Sequence, residues 1–133
     1  MTPDKSGDES GKFVWQGLDH IQLAIPPGSE DICRQFYGVI LGWEELKKPT
    51  ALAQNGGLWF QAAGIPLHLG VDKAFIPAQK AHPAFLISPV TVLAKRLELA
   101  GYPVKWDRNL PGYKRFYSED AVGNRLEFMQ QLG

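Results

Sequence analysis

Two stretches of this chain carry the same pattern, Ala63-Gly64-Ile65-Pro66-Leu67-His68-Leu69-Gly70 and Val122-Gly123-Asn124-Arg125-Leu126-Glu127-Phe128-Met129. At one offset (127 − 68 = 59), glycine aligns with glycine, leucine with leucine, and His68 with Glu127. Near the start of each copy the offset becomes 62 (82 − 20 = 62), which aligns His20 with His82. The chain is therefore predicted to be a doubled unit, in which each copy contributes one potential metal ligand near its beginning and one near its end.

The composition excludes several classes of protein. The 133 residues contain 14 Lys+Arg and 14 Asp+Glu, so a formal charge of zero gives no reason to expect a nucleic-acid partner. No apolar run approaches the roughly 20 residues of a membrane span, and residues 1–10 are polar, so we expect a cytoplasmic protein with no membrane partner. The single cysteine, Cys33, excludes an internal disulfide and makes a thiolate zinc site implausible.

Each copy is predicted to fold as a β-α-β-β-β module within an α+β domain. The alternation of Ile21, Leu23 and Ile25 is typical of a strand, and helical spacing follows between Ser29, a candidate N-cap, and Gly42. The second copy repeats this order, with Ser88-Pro89 as the predicted start of its helix. The predicted boundaries are a flexible tail (1–16) and one domain (17–131), divided into module 1 (about 17–72), a linker (73–81) and module 2 (about 82–131).

Strand alternation places the potential ligands on one face of the predicted sheet. The apolar neighbours of His68 and Glu127 point to the opposite face, where helices would cover them. This arrangement leaves His20, His68, His82 and Glu127 on an uncovered, concave face, where two symmetry-related halves bring them to a common point. Imidazoles and a carboxylate suit a divalent ion such as Zn, Ni, Co, Mn or Fe(II), and such a site is expected to leave a coordination position for a small-molecule substrate.

Each of these residues also has a purely structural interpretation. A single strand histidine is more often a hydrogen-bonded structural residue than a ligand, and His82 could simply end the linker. The metal hypothesis depends on the fact that all three histidines of the chain occupy repeat-related positions. Three aromatic side chains and one cation are candidate substrate-binding residues that would line the same concave face, namely Trp59, Tyr113, Tyr117 and Arg115. Aromatic residues on strands are also common in cores and dimer interfaces.

Four segments together resemble the vicinal oxygen chelate superfamily, which includes glyoxalase I, extradiol dioxygenases, and fosfomycin and bleomycin resistance proteins. The resemblance covers about residues 17–131, and its segments identify the fold much more specifically than the reaction. They are Leu18-Asp19-His20-Ile21, Phe36-Tyr37-Gly38-Val39-Ile40-Leu41-Gly42-Trp43, His82-Pro83-Ala84-Phe85 and Asp120-Ala121-Val122-Gly123-Asn124-Arg125-Leu126-Glu127-Phe128.

The resemblance implies two β-α-β-β-β modules that form an open, U-shaped eight-stranded barrel around a metal, with helices outside and often within a homodimer. It implies His20, His68, His82 and Glu127 as metal ligands, with Glu127 and His68 also as catalytic residues. His68 stands where glyoxalase I commonly has a carboxylate that can serve as the base, which argues against a strict glyoxalase I activity.

The sequence therefore supports two hypotheses. The first is a divalent-metal-dependent, glyoxalase-like enzyme of lyase, isomerase or dioxygenase type. The second is a metal-free protein that sequesters a planar compound between aromatic walls, as bleomycin resistance proteins do.

Overall fold

The two predicted modules are present, and each forms its own four-stranded sheet. The computed structural model describes residues 10–133, so the first nine residues of the predicted tail lie outside the described part. Module 1 contains strand β1 (Ile21–Ile25), helix α1 (Glu30–Cys33) with a π-helical continuation (Arg34–Ile40), β2 (Glu44–Leu46), helix α2 (Thr50–Ala53), β3 (Leu58–Ala62) and β4 (Ile65–Val71). Module 2 contains β5 (Ala84–Leu86), α3 (Val90–Leu99), β6 (Lys105–Asp107), β7 (Tyr113–Glu119) and β8 (Arg125–Gln131).

The sheets reproduce the repeat in their strand order and pairing. The order is β1-β4-β3-β2 in one sheet and β5-β8-β7-β6 in the other. The parallel pair in each sheet aligns Gln22 with His68 and Ala84 with Glu127, which are repeat-equivalent positions. No strand pairing joins the two sheets within residues 10–133, and the predicted α+β fold with an open barrel is confirmed.

One hydrophobic core joins the two modules. Leu67, Leu69, Leu126 and Phe128 alternate with the candidate ligands along β4 and β8 and are buried, as the strand period requires. The module 1 helix contacts module 2 directly, because the Phe36 ring packs edge-on against Tyr102 with 4.8 Å between ring centroids. The helix-covered faces therefore form the core, and the faces that carry the candidate ligands stay outside it.

The predicted helix caps differ from the observed ones. The hydroxyl of Ser29 donates to Pro26 O at 2.7 Å and makes no cap bond to α1. Helix α3 begins one residue later than predicted, with Pro89 at the cap position, and the Val90 N–H donates to Gln130 Oε1 on β8 at 2.9 Å. This contact comes from a residue 40 positions away in the chain, so local sequence does not show it.

Candidate metal centre

His82 and Glu127 form a close pair on the uncovered face of the second sheet. His82 directly precedes Pro83, whose carbonyl accepts a hydrogen bond from the Glu127 N–H at 3.1 Å, so the linker end is fixed to β8. The His82 Nε2 and Glu127 Oε1 atoms lie 2.9 Å apart, and the side chains are only 19% and 7% exposed. Both side chains are therefore largely removed from solvent, and their hydrogen-bonding groups depend on protein partners rather than on water.

The hydrogen-bonding capacity of this pair requires a proton or a metal ion between its two atoms. The Lys80 carbonyl can only accept, so His82 Nδ1–H donates to it at 2.9 Å. In a neutral imidazole Nε2 is then a lone pair, and it faces a carboxylate oxygen that also only accepts. Two acceptors at this distance repel each other unless His82 is an imidazolium, Glu127 is protonated, or a cation lies between them.

Arg115 holds the other oxygen of the same carboxylate. Its Nη1 donates to Glu127 Oε2 at 2.9 Å, and its Nη2 donates to Asp107 Oδ2 at 3.3 Å. Burial alone would lower the pKa of Arg115, but the hydrogen bond and negative charge of Glu127 raise that pKa above its ordinary value. Arg115 therefore places a positive charge beside one oxygen of the Glu127 carboxylate, and His82 lies beside the other.

His20, His68 and Trp59 form a stack of three rings on the first sheet. The ring centroids of His20 and His68 are 4.2 Å apart, and those of His68 and Trp59 are 4.1 Å apart. Asp19 Oδ2 accepts from His20 Nδ1–H at 2.8 Å, which leaves His20 Nε2 as a lone pair when the ring is neutral. Burial, and next the neighbouring His20, lower the pKa of His68, so His68 is neutral near neutral pH.

The structure brings the four predicted ligands together as two pairs. Within residues 10–133, no group of three or more His, Cys, Asp or Glu side chains is placed to hold one metal ion. The expected convergence of all four on one point is therefore not found within a single chain. His68 and Glu127 lie on β4 and β8 as the repeat predicts, whereas His20 and His82 lie just before β1 and β5. The repeat does not determine the distance between the two modules.

The four predicted substrate-binding residues take three different positions. Trp59 is the outer ring of the stack on His68, and Tyr117 packs edge-on against His82 with 5.6 Å between centroids. Tyr113 lines a separate cavity of about 490 Å³ beside Trp106. Arg115 also borders that cavity, but its charge is engaged by Glu127 and Asp107.

Three supporting residues were not predicted from the sequence. Asp19 is adjacent to His20 and could have been recognised as a carboxylate that orients an imidazole. Asp107 pairs with Arg115 in the β6–β7 register, which is visible only once the strands are aligned. The guanidinium of Arg125 lies 4.1 Å from the centre of the Tyr117 ring, in a cation–π contact that follows from the β7–β8 register.

Comparison with known proteins agrees with this arrangement of modules. The chain is 41% identical to a glyoxalase family protein from Bacillus anthracis, over 90% of this chain and 98% of that one, with a TM-score of 0.86. It also shares its fold with FosX, a fosfomycin resistance protein from Listeria monocytogenes, at 20% identity, 88% and 94% coverage and a TM-score of 0.71. Lactoylglutathione lyase from Agrobacterium tumefaciens matches at 21% identity, 83% and 91% coverage and a TM-score of 0.62.

The fold and these similarities define a protein of the vicinal oxygen chelate superfamily. Within it, the chain belongs to the glyoxalase family. No family model matches the sequence, and no curated protein does. None of the helices in the described residues is long and apolar enough to cross a membrane.

Proposed function

We propose that this protein is a divalent-metal-dependent enzyme acting on a small molecule, with chemistry of the lyase, isomerase or dioxygenase type. The observation that carries the proposal is the 2.9 Å separation of His82 Nε2 and Glu127 Oε1, two potential metal ligands that face each other in a largely buried site. A cation bound by both atoms would satisfy the two of them at once.

The geometry of the pair fits a metal ion. Two ligand atoms about 2.1 Å from one ion are separated by about 3.0 Å at a right angle and about 3.4 Å at a tetrahedral angle. The observed 2.9 Å is close to the smaller value. Lys80 O on His82 and Arg115 on Glu127 are supporting contacts of the kind that orient metal ligands. We therefore assign His82 and Glu127 as two ligands.

The remaining ligands in this proposal are His20 and, as a fourth ligand or as an acid–base residue, His68. Because the two pairs are separate within the chain, we propose a homodimer in which the His20 and His68 of one copy meet His82 and Glu127 of the other. The ion, identified only as one of Zn, Ni, Co, Mn or Fe(II), would polarise an oxygen of the substrate when bound. A FosX mutant of the same fold was crystallised with Mn(II), which makes Mn(II) one of the ions to test first.

The residues around the pairs have defined roles in this proposal. Trp59 and Tyr117 offer ring surfaces beside His68 and His82, so they would border the substrate. A neutral His68 can accept a proton from a bound substrate, which replaces the carboxylate base that its position commonly holds in glyoxalase I. Arg115 orients the Glu127 carboxylate through its hydrogen bond, and Tyr113 lies in the neighbouring cavity.

Metal content measured on purified protein tests the proposal. After equilibration with Mn(II), Co(II) or Zn(II) and removal of the free ion, we expect one ion per chain. His82→Ala and Glu127→Gln should each lower the affinity by at least about 100-fold, beyond the 10–100-fold that a lost supporting contact costs. Glu98→Gln is the matched control, because Glu98 is exposed on the surface of α3, and this variant should bind metal like the wild type.

The contact between His82 and Glu127 is also compatible with the metal-free alternative, because an imidazolium at His82 would satisfy the Glu127 carboxylate. In that case the pair is a closed ion pair, and the ring stack of Trp59, His68 and His20 serves as an aromatic wall. Thermal denaturation separates the hypotheses, since only a ligand of the folded state raises the melting temperature. A rise with planar aromatic compounds and none with divalent ions would establish sequestration instead.

A further inference from the structure

A cavity of about 490 Å³ lies beside the hairpin that β6 and β7 form. Small-molecule sites commonly occupy about 300–1,000 Å³, so this cavity has the size of a ligand site. Two aromatic residues, Trp106 and Tyr113, contribute to its walls. We call it the hairpin cavity. Its charged lining residues are Asp107, Arg108, Lys114 and Arg115.

Two of the cations that line the hairpin cavity have no counter-charge. Asp107, the only carboxylate in the described lining, accepts from Arg115 Nη2 at 3.3 Å and from a backbone N–H of the following turn at 2.7 Å. Arg115 also donates to Glu127 Oε2 at 2.9 Å, so its charge is engaged as well. Arg108 and Lys114 are exposed and form no ion pair with any described residue. The cavity therefore carries uncompensated positive charge, which attracts an anion.

Trp106 gives the same cavity a flat apolar wall. Its side chain is 41% exposed, and its ring packs edge-on against the buried Phe116 with 5.2 Å between ring centroids. The ammonium nitrogen of Lys114 lies 5.3 Å from the centre of the Trp106 ring. Ring surface and positive charge therefore lie side by side. A ligand that contacts both is a planar ring that carries an acidic group.

Arg115 connects the hairpin cavity to the candidate metal centre. It lines the cavity, and its guanidinium also donates to Glu127. Tyr113 and Arg115 alternate with Tyr117 along β7, and Tyr117 packs edge-on against His82. The cavity is therefore next to the metal centre on the same sheet, so one small molecule can extend from one to the other.

We propose that the hairpin cavity binds the acidic end of the substrate, and that the substrate is a small organic acid with a planar ring. The acidic group lies against Arg108 and Lys114, and the ring lies against Trp106. The role as a substrate subsite rests on the proposed function, but the binding of a planar anion does not. A neutral compound of the same shape lacks the charge attraction, and a saturated acid lacks the flat face that packs on an indole.

Isothermal titration calorimetry on the full chain, stripped of metal with a chelator and dialysed, tests the binding. The probes are 2-naphthoate, the neutral 2-naphthamide and the saturated decahydro-2-naphthoate. We expect 2-naphthoate to bind at least about 5-fold more tightly than the amide, which is the effect of two exposed ion pairs. It should bind at least about 3-fold more tightly than the saturated acid, because only a flat ring stacks on Trp106.

Variants locate the binding in the cavity. Arg108→Gln/Lys114→Gln should lower the affinity for 2-naphthoate by at least about 5-fold and leave that for 2-naphthamide unchanged. Lys73→Gln/Lys95→Gln is the matched control, because it removes the same charge at two exposed positions outside the cavity, and it should bind like the wild type. Equal affinities for the acid and the amide, or an equal loss in both double variants, would overturn the inference.

Proton NMR of 2-naphthoate with the metal-loaded protein tests the role as a substrate subsite. Mn(II) is paramagnetic and broadens the resonances of a ligand that binds beside it, whereas Zn(II) does not. We expect broadening with the Mn(II)-loaded wild type and none with the Zn(II)-loaded protein. Sharp resonances from bound 2-naphthoate beside a bound Mn(II) would refute the substrate role. Failure of the chain to bind metal would instead refute the proposed function, and the calorimetric result would stand without it.

Discussion

Replacing Asn124 by alanine tests how the two modules are held together. The amide of Asn124 is 1% exposed and makes three side-chain hydrogen bonds that link separate parts of the chain. Its Nδ2 donates to Ala24 O at the end of β1 at 2.9 Å and to Asp120 Oδ2 at 3.1 Å, and its Oδ1 accepts from the Ala78 N–H at 2.9 Å. One side chain thus joins module 1, the linker and module 2.

The expected loss of stability is about 3 kcal/mol. Each hydrogen bond contributes about 1 kcal/mol, and a buried group left without a partner costs about 1–3 kcal/mol. Asp120 keeps other donors, including Tyr37 O–H at 2.6 Å and the Val122 N–H at 3.0 Å, so its loss is small. Ala24 and Ala78 are half-buried, so water can partly replace the hydrogen bonds that their backbone groups lose. The total loss of stability therefore lies near the sum of the three hydrogen bonds.

Urea denaturation followed by circular dichroism, at one protein concentration and with chelator present, measures this change. The control is Asn109→Ala, because Asn109 is exposed and only its backbone N–H is hydrogen-bonded. The control should stay within about 0.5 kcal/mol of the wild type. A loss below about 1 kcal/mol for Asn124→Ala would show that these contacts do not hold the modules together.

Further changes test other parts of the structure. Gly57→Ala should cost at least about 3 kcal/mol, because its Cβ would lie 2.1 Å from Leu69 O at a φ of +84°. Gly112→Ala, at a φ of +83° with open space around it, should cost only about 1–2 kcal/mol, and equal losses in urea denaturation would refute the steric argument. Burial raises the pKa of Cys33 to about 11, so a thiol reagent should label it only after unfolding; rapid labelling of the native protein would contradict this. The hydrogen bond from the Gly57 N–H lowers the pKa of Glu30 in the folded protein. The wild type should therefore be more stable than Glu30→Gln above the ordinary pKa of 4.5, and this difference should disappear as the pH falls through the lower folded pKa. A stability difference that does not change with pH would exclude this cause.

The order of strands and helices could be read from the sequence because local patterns determine it. Alternating residues such as Ile21, Leu23 and Ile25 define a strand, and the repeat supplies a second copy of each element. The turn before β4 is less evident from the sequence. Ala63 and Gly64 form it, both with positive φ, and glycine is the residue that favours this conformation while alanine is not.

The strand and the face of His68 and Glu127 could be predicted from the sequence, but the distances between the candidate ligands could not. Alternation determines the face of a strand on which His68 or Glu127 lies, and the structure places both opposite the core. The partners of Glu127 depend on strand register and on the linker, which bring Arg115 and His82 to its two oxygens. The separation between the His20 and His82 pairs depends on how the modules pack, and no local pattern encodes it.

The most direct test of the central claim is an anomalous difference map from crystals of the protein grown with Mn(II) or Co(II). We predict a peak about 2.1 Å from both His82 Nε2 and Glu127 Oε1, with Glu127 Oε2 still bound by Arg115. An undisturbed contact of 2.9 Å between those two atoms, with no peak at saturating metal, would contradict the account.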